Sequence, residues 1–465
     1  MTKRQRTSLF LSVVVFFLLA TPFIILYSQG YRFDWLTKHI IKTGGIHIEA
    51  IPSQVDVFLN DVFARRTGYI FDSTFLGDLR PDFYNIRIEK EGFTSWSKTL
   101  QVLPTQLTQI RNVILFPKNL QFQTVLQGVR QIWPAPSDQE MLVQKNTLDQ
   151  DFWELVLWDP SRNSERRIMK GNLAEDIVSL EWNQDASRAL VRIVSDTQDT
   201  RIVWNIKGNQ RDACVLIGCS LDFLGKSVVK TSFIPESNNL ILVTRQTEHF
   251  LEAGIANYIT KAPFQPVETE VLAAYANEEY LFTFHAQGML KRQDISLQSE
   301  PEDLLDIPYP IGQETQYELF TIGNDIFVQE GNTLFERAPD NTLVKFAQQA
   351  QEISPSKDKR SIAHSQGTGL FVSSVYASPD KLLQKRTTVL STDHANVSNL
   401  IWLANSHVFF TSGNAIMVAE TDVRDRANIA LLGTFPNPSL FWHEKEKTLY
   451  VLSEGFLFAS EKLMP

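Results

Sequence analysis

Hydrophobic residues follow different patterns in successive parts of this 465-residue chain. An uninterrupted apolar run extends from Ser8 to Tyr27. Apolar and polar residues then alternate with a period of two between Gly44 and Pro117, and short apolar runs separated by polar turns continue from Gln131 onward. No stretch after Tyr27 has the periodicity and capping residues of a long amphipathic helix. The pattern therefore predicts one apolar helix followed by all-β domains.

The apolar run predicts a transmembrane anchor over residues 8–27. As a helix, a run of this length rises about 30 Å, which matches the hydrocarbon core of a bilayer. Lys3, Arg4 and Arg6 precede the run, and basic residues beside a membrane helix usually stay on the cytoplasmic side. Residues 1–7 are therefore predicted to be cytoplasmic, and everything after the anchor extracytoplasmic.

The residues around the anchor refine this interpretation. A cleaved signal peptide has a shorter apolar region that ends at a small-x-small site, whereas here Ala20-Thr21-Pro22 is followed by further apolar residues. An uncleaved anchor is the preferred interpretation, and a cleaved signal or a buried core helix is the alternative. Residues 28–43 are interpreted as a juxtamembrane stalk, with Tyr31 and Trp35 suited to the outer membrane interface.

The alternating region, residues 44–117, predicts a small antiparallel β-sandwich domain. Its clearest strand extends from Tyr84 to Glu89, where every second residue is apolar. Turn signals such as Asn60-Asp61 and Glu91-Gly92 separate the alternating runs. Trp96 and Phe93 are interpreted as core residues of this domain or as interface aromatics, and not as a ligand cage.

Residues 45–116 are similar to the PEGA domain family. The stretches that carry the resemblance are Ile51-Pro52-Ser53-Gln54-Val55-Asp56-Val57-Phe58-Leu59-Asn60, Leu79-Arg80-Pro81-Asp82-Phe83-Tyr84-Asn85-Ile86-Arg87-Ile88 and Lys90-Glu91-Gly92-Phe93. The family's Pro-Glu-Gly-Ala is here Pro52-Ser53-Gln54-Val55, and its usual Pro-Gly is Pro81-Asp82. The resemblance implies a non-catalytic module that acts as a spacer or binding platform near a membrane or wall. It implies no functional residues.

A repeated unit predicts a β-propeller over residues 118–465. The unit begins with an apolar run, often ending near an aromatic residue, and its spacing is close to the roughly 40–50 residues of a four-stranded blade. Its starts lie at Arg130, Ser179, Thr231, Tyr275, Phe320, Ile353, Asn399 and Ser439. Eight blades are predicted, with seven as the alternative. Leu120–Val125 is predicted to complete the last blade and close the ring.

The propeller region resembles TolB-like and WD-type propellers in the order of its strands. Ile353-Ser354-Pro355-Ser356-Lys357-Asp358 echoes the turn of TolB-like repeats. Membrane-anchored bacterial surface proteins combine such modules. Tryptophans at the strand ends are predicted to pack between blades and not to form a ligand stack.

Composition limits the partners of the protein. The net charge of −9, the pI near 5.5 and the absence of a long basic run argue against nucleic acid. The only cysteines are Cys214 and Cys219. Two unpaired, partly buried thiols are the preferred interpretation, and a disulfide across a tight turn is the alternative.

No stretch carries a recognisable catalytic signature. Nucleophile elbows, zinc-binding HExxH motifs and Walker loops are absent from the sequence. His443-Glu444 lacks the second zinc histidine, and Glu300-Pro301-Glu302-Asp303 does not match a calcium loop. No catalytic, cofactor-binding or metal-binding residue is therefore predicted, and no cofactor is expected.

These observations predict a non-catalytic binding or scaffold protein held in the membrane by residues 8–27. Its monomeric ectodomain would present a propeller surface to a protein, a cell-wall polymer or a surface glycan. One alternative is an extracytoplasmic glycan hydrolase or lyase, with acidic residues gathered at the mouth of the propeller channel. Another is a purely structural spacer. Fold alone does not decide among them.

Overall fold

The computed structural model describes residues 3–34, 38–69, 72–137, 139–146, 151–207, 214, 218–312, 315–375, 387–391 and 396–464. The chain forms two compact units. One unit comprises Met1–Leu120, Met417–Gly433 and Leu463–Pro465, and the other comprises Gln121–Ile416 and Thr434–Lys462. The first contains the apolar helix and a β-sandwich, and the second contains a β-propeller.

The apolar run forms helix α1, Lys3–Ser28. The helix is strongly apolar between its basic start and its end, and it is exposed along its apolar length. Its length and composition are sufficient to cross a membrane, although a signal sequence has the same properties. Among the described residues, its contacts with the rest of the chain lie at its C-terminal end, next to β1.

The described part of the predicted stalk, residues 28–43, contains two short strands, and its role as a stalk stays a prediction. Strands β1 (Tyr31–Asp34) and β2 (His39–Lys42) pair antiparallel. Gly30 has a φ of +82°, a conformation open to glycine, and it turns the chain from α1 into β1. Trp35 lies outside the described residues.

Two sheets with a common core form the β-sandwich. Its strands are β3 (Gly44–Ile51), β4 (Asp56–Leu59), β5 (Val62–Arg66), β6 (Ser73–Leu79), β7 (Asp82–Glu89), β8 (Trp96–Val102) and β9 (Leu107–Ile114). One sheet has the order β6-β3-β9 and the other β5-β4-β7-β8. Their apolar faces bury Ile48, Val57, Ile86 and Trp96 together. Trp96 is thus a core residue as predicted, and Phe93 packs against the same cluster.

One strand pair of the sandwich differs from the antiparallel prediction. β3 and β9 pair in parallel, with Gly45 opposite Leu107 and Ile51 opposite Ile114. A parallel pair needs a long crossover connection, and here the remaining five strands of the domain supply it. Alternation within each strand cannot reveal this direction, because it reports only which face is buried.

In the part of the chain that the structure describes, thirty-one further strands form the propeller region. They are β10 (Phe122–Gln127), β11 (Val129–Pro134), β12 (Met141–Asn146), β13 (Phe152–Asp159), β14 (Ser164–Asn172), β15 (Asp176–Trp182), β16 (Arg188–Val194), β17 (Asp199–Asn205), β18 (Cys219–Ser220), β19 (Val228–Phe233), β20 (Leu240–Gln246), β21 (Leu251–Asn257), β22 (Glu268–Ala276), β23 (Tyr280–His285), β24 (Leu290–Asp294), β25 (Glu302–Asp303), β26 (Tyr317–Ile322), β27 (Asp325–Glu330), β28 (Thr333–Arg337), β29 (Leu343–Ala347), β30 (Ile353–Pro355), β31 (Ser361–Gln366), β32 (Gly369–Ser374), β33 (Thr387–Ser391), β34 (Val397–Leu403), β35 (His407–Ser412), β36 (Ala415–Glu420), β37 (Ile429–Thr434), β38 (Ser439–His443), β39 (Thr448–Ser453) and β40 (Phe456–Ser460). A short 3-10 helix, Asp222–Leu224, precedes β19.

The sheets of the propeller are antiparallel meanders in chain order. Four-stranded sheets are formed by β11 to β14, β15 to β18, β26 to β29, β30 to β33 and β34 to β37. The last sheet has the order β10-β40-β39-β38, so the first strand of the region completes the sheet at its end. The predicted closing strand at Leu120–Val125 is thereby confirmed, with observed bounds of Phe122–Gln127. Closure of this kind removes open sheet edges.

Strands β19 to β25 form one continuous seven-stranded sheet. The cause is β22, whose N-terminal half pairs with β21 and whose C-terminal half pairs with β23. The same strand thus ends the third predicted unit and begins the fourth. All eight predicted starts lie in first strands, but because two units share a strand, the number of blades stays a prediction.

The preferred interpretation of two unpaired thiols is wrong, because Cys214 and Cys219 form a disulfide. β18 pairs with β17 and places Cys219 opposite Val203. The carbonyl of Cys214 accepts a hydrogen bond from the backbone N–H of Asn205, at the end of β17. Both cysteines are therefore held beside one strand, with their Cα atoms 4.7 Å apart, within the range for a disulfide.

Candidate binding site at one mouth of the propeller

One open pocket is lined by residues that occupy equivalent positions, at or near the ends of several first strands. Trp182 and Phe233 end the first strands β15 and β19, and Tyr275 and Thr321 lie one residue before the ends of β22 and β26. Lys359 follows from the turn after β30. Several of these first strands contact one another, among them β15 with β19 and β22 with β26. The pocket has a volume of about 510 Å³ and lies where these first strands end, and we call it the mouth pocket.

Glu181 is the carboxylate held most firmly in the mouth pocket. Its Oε1 accepts the backbone N–H of Phe233 at 3.0 Å, which links β15 to the first strand of the next sheet. Burial raises the pKa of Glu181 to about 7, although the Phe233 N–H and the nearby Lys230 both lower it. Near neutral pH this side chain is therefore divided between its acid and carboxylate forms.

Two more carboxylates lie at the same mouth, in the turn after β22. Glu278 accepts a hydrogen bond from the side-chain amide of Gln184 at 3.3 Å. The Gln184 carbonyl oxygen in turn accepts the backbone N–H of Glu236 at 3.1 Å. Glu279 is exposed, and its backbone N–H donates to Asn277 Oδ1 at 2.9 Å. The turns that carry these acidic groups are thus held in place by side-chain hydrogen bonds.

The tryptophans of the mouth pocket and its equivalent positions connect neighbouring sheets. Trp182 Nε1 donates to the backbone carbonyl of Trp133, in the preceding sheet, at 3.1 Å. Trp402, at the same position of β34, donates to the carbonyl of Ser354 in the preceding sheet at 2.8 Å. The prediction that these residues pack between blades is confirmed for both. Trp182 nevertheless presents part of its ring to the pocket.

A cluster of charged side chains connects two further turns, the one after β30 and the one after β38. Lys357 Nζ lies 2.7 Å from Glu444 Oε2, and Lys447 binds the other oxygen of the same carboxylate. Trp442 Nε1 donates to Glu444 at 2.9 Å. Burial alone would raise the pKa of Glu444, but these three donors lower it to about 2. The turn after β30 is thereby tied to the turn after β38.

The chemistry of the mouth pocket is that of a polar binding surface. It presents three glutamates and one lysine together with tryptophan, tyrosine and phenylalanine rings. No histidine lines it, and the described residues contain no group of three or more His, Cys, Asp or Glu side chains placed to hold a metal ion. Carboxylates and amide groups suit cationic or hydroxyl-bearing ligands, and the rings add stacking faces.

None of these residues was predicted as a site from the sequence. Residues that the sequence singles out lie elsewhere: His443 is buried and its Nδ1 accepts the N–H of Glu446. Glu302 pairs with Arg292 at 2.7 Å on an exposed edge strand. The sequence holds one signal that could have indicated the pocket. Glu181 and Trp182 stand at the end of the first strand of their repeat unit, directly before its first turn.

Comparison with known proteins gives similarity of fold only. No family model matches the chain, and no curated protein matches it. The Cps50 (Swd1) β-propeller domain of Myceliophteria thermophila is 11% identical with a TM-score of 0.41, covering 74% of this chain and 99% of that one. Kluyveromyces lactis Hsv2 is 11% identical with a TM-score of 0.41, covering 67% and 100%. A prolyl endopeptidase is 10% identical with a TM-score of 0.43, covering 71% and 55%. At identities and scores this low, the similarities carry no information about function.

Proposed function

We propose that this protein is a membrane-anchored, extracytoplasmic, non-catalytic binding protein whose partner enters the mouth pocket. The observation that supports the proposal is the convergence of polar and aromatic side chains from consecutive sheets on one open pocket. Each contributing turn is fixed by the sheet behind it, so the pocket is formed before the partner arrives. Preorganised surfaces of this kind lose little entropy on binding.

The charges of the mouth pocket indicate the chemistry of the partner. Three glutamates face a single lysine, so the pocket favours cationic groups over anionic ones. The aromatic rings favour a flat or cationic group that can stack. We therefore expect either a protein segment with exposed Lys or Arg side chains, or an envelope polymer that carries amino and hydroxyl groups.

Two features support an extracytoplasmic location. Helix α1 has the length and hydropathy of a membrane span, and basic residues precede its apolar part. The disulfide between Cys214 and Cys219 is of a kind that persists in oxidising compartments and is rare in the cytosol. The ectodomain is expected to be monomeric, because the pairing of β10 with β40 leaves the propeller without an open end.

Charge reversal at the mouth tests the binding proposal. The full chain in nanodiscs is used to capture partners from envelope extracts, and wild type is compared with Glu278→Lys combined with Glu279→Lys. Glu318→Lys is the matched control, because Glu318 is an exposed residue of β26 that does not line the pocket. We expect wild type and control to retain the same partner, and the double variant to lose at least about tenfold in affinity.

The same experiment separates the proposal from a structural spacer. A spacer would retain no saturable partner with any of the variants. Equal retention by wild type and the double variant would also contradict the proposal, because it would place the partner on another surface.

A second candidate function, a glycan hydrolase or lyase, is favoured by one observation. Glu181 has a pKa near 7 beside two further carboxylates, and glycosidases pair a protonated acid with an ionised carboxylate. However, Glu181 already accepts the Phe233 N–H, which gives it a structural role. Release of soluble sugars from envelope polymer by the full chain, abolished by Glu181→Gln, would support the enzyme. Binding without release would leave the non-catalytic proposal in place.

A further inference from the structure

The hairpin that follows α1 has two different faces. Tyr31 pairs with Lys42 and Phe33 with Ile40 across the two strands. Residues opposite each other and residues two apart share a face, so these four residues form one face of the hairpin. Arg32 lies on the other face, opposite Ile41. We call β1 and β2 the juxtamembrane hairpin, and its face with Tyr31, Phe33, Ile40 and Lys42 the apolar face.

The apolar face is substantially exposed. Phe33 is 49% exposed and Ile40 is 63% exposed. Lys42 is exposed as well, and its Nζ lies 5.0 Å from the centre of the Tyr31 ring. An aromatic ring with a lysine ammonium beside it and two large apolar side chains form a combination typical of the membrane–water interface.

The opposite face of the hairpin is fixed to its neighbours through Arg32. Arg32 Nη1 donates to the carbonyl of Tyr27 in α1 at 2.6 Å, and its guanidinium lies 3.5 Å from the centre of the Tyr27 ring. Arg32 Nη2 pairs with Asp78 of β6 at 2.7 Å. One side chain therefore connects the end of the helix, the hairpin and the sandwich.

Backbone hydrogen bonds secure the same arrangement. The Gly30 carbonyl accepts both the backbone N–H of Thr43, at 2.9 Å, and its hydroxyl, at 3.0 Å. The Thr43 carbonyl in turn accepts the N–H of Thr105, between β8 and β9, at 2.9 Å. The hairpin is thus held at the start of the sandwich and cannot swing freely as an extended stalk would.

Chain geometry places the hairpin beside the bilayer. The 24 residues of Gln5–Ser28 rise about 36 Å, compared with about 30 Å for the hydrocarbon core. The end of the helix therefore reaches the headgroup layer. Tyr31 follows Ser28 by three residues, which span at most about 10 Å. The nearest surface that can cover the apolar face is the lipid headgroup region.

We propose that the juxtamembrane hairpin lies on the outer leaflet, with its apolar face in the headgroup and upper acyl region. The anchor would then consist of a spanning helix and an interfacial hairpin, and together they would set the orientation of the sandwich relative to the bilayer. This inference requires that α1 spans the membrane, but it does not depend on what the mouth pocket binds.

Site-directed fluorescence in nanodiscs tests the proposal on the full chain. The two native cysteines are joined, so a single introduced cysteine can be labelled with an environment-sensitive dye without reductant. Ile40→Cys probes the apolar face, and Phe33→Cys is a second probe should the first variant misfold. His39→Cys, on the other face of the same strand, is the matched control. Leu18→Cys reports on the helix itself.

Lipids brominated near the headgroup end of the acyl chain serve as quenchers. We expect the dye at position 40 or 33 to be quenched at least twofold more than the dye at position 39, with blue-shifted emission. Quenching at position 18 with water-like emission at positions 40 and 33 would overturn the hairpin proposal while leaving the anchor intact. Water-like emission at all four positions would overturn the hairpin proposal together with the anchor. Partner capture by the same nanodiscs tests the mouth pocket independently.

Discussion

Replacing Glu181 by glutamine should stabilise the protein at pH 8 by more than it does at pH 5. Burial raises the pKa of Glu181 to about 7, so the folded protein holds this proton more tightly than the unfolded chain does. The contribution of the group to stability is therefore complete below pH 4.5, its pKa when exposed, and is lost as the pH rises through 7. Glutamine does not ionise in this range and can still accept the Phe233 N–H through its carbonyl oxygen.

The size of the effect follows from the two pKa values. A change from 4.5 to about 7 corresponds to about 3 kcal/mol when the carboxylate is fully formed in the folded state. Glu181 is only partly buried by its accessible surface, and water reaching the carboxylate lowers this figure to about 2 kcal/mol. For a domain of roughly 350 residues, that free energy corresponds to a difference in Tm of about 3 °C.

Thermal unfolding monitored by tryptophan fluorescence measures this difference between pH 5 and pH 8. Glu278→Gln is the matched control, because Glu278 lies at the same mouth but is exposed. We expect the Tm of the Glu181→Gln variant to exceed that of wild type by a margin that grows as the pH rises from 5 to 8. The Glu278 variant should follow wild type. A margin that is constant with pH, or that shrinks, would refute the proposed ionisation of Glu181.

Three substitutions elsewhere test the contacts that hold the chain together. Lys98→Met leaves Glu420 buried without its ion-pair partner and should lower the free energy of unfolding by about 3–5 kcal/mol; adding Glu420→Gln should recover part of this loss in denaturant titrations. Cys214→Ser with Cys219→Ser should lower it by about 2 kcal/mol for so short a loop, and reductant should then have no further effect on Tm. Trp182→Phe removes the donor to the preceding sheet and should cost about 1 kcal/mol in the same titration.

Much of the propeller could be predicted from the sequence because its units are local. Each first strand is an apolar run followed by a turn, and the starts at Ser179, Phe320 and Ser439 all lie in first strands. The closing strand was predictable for a related reason: the last unit lacked a strand, and an unassigned apolar run preceded the first one. Antiparallel meanders keep partners close in the chain, so periodicity reports them directly.

Features that depend on distant parts of the chain were not predictable in the same way. The mouth pocket draws its residues from turns that are tens of residues apart, and no short motif marks them. The parallel pairing of β3 with β9 leaves no trace in the alternation of either strand. The pairing of β1 with β2 was not predictable for a different reason. Strands of four residues are too short to establish a period.

The buried cluster around Lys98 shows why the sandwich cannot be treated as a removable spacer. Lys98 is 1% exposed and pairs with Glu420 at 2.8 Å. Trp96, 324 residues from Glu420 in the sequence, donates its indole N–H to the same carboxylate at 2.7 Å. Segment Met417–Gly433 therefore belongs to the same compact unit as the sandwich, although β36 also continues the sheet that begins with β34.

Cutting the chain between Lys98 and Glu420 would leave each of these charges without its ion-pair partner. A fragment beginning at residue 118 would keep Glu420 but lose Lys98 and Trp96, and a fragment ending at residue 117 would keep Lys98 without its carboxylate. Removing one member of a buried ion pair costs more than the pair contributes, because the remaining charge stays desolvated. Asn428 adds to this dependence, since its side chain contacts both the Ser97 carbonyl and Glu420. The sandwich and the segment around Glu420 therefore fold as partners, and binding experiments on this protein require a chain that contains both.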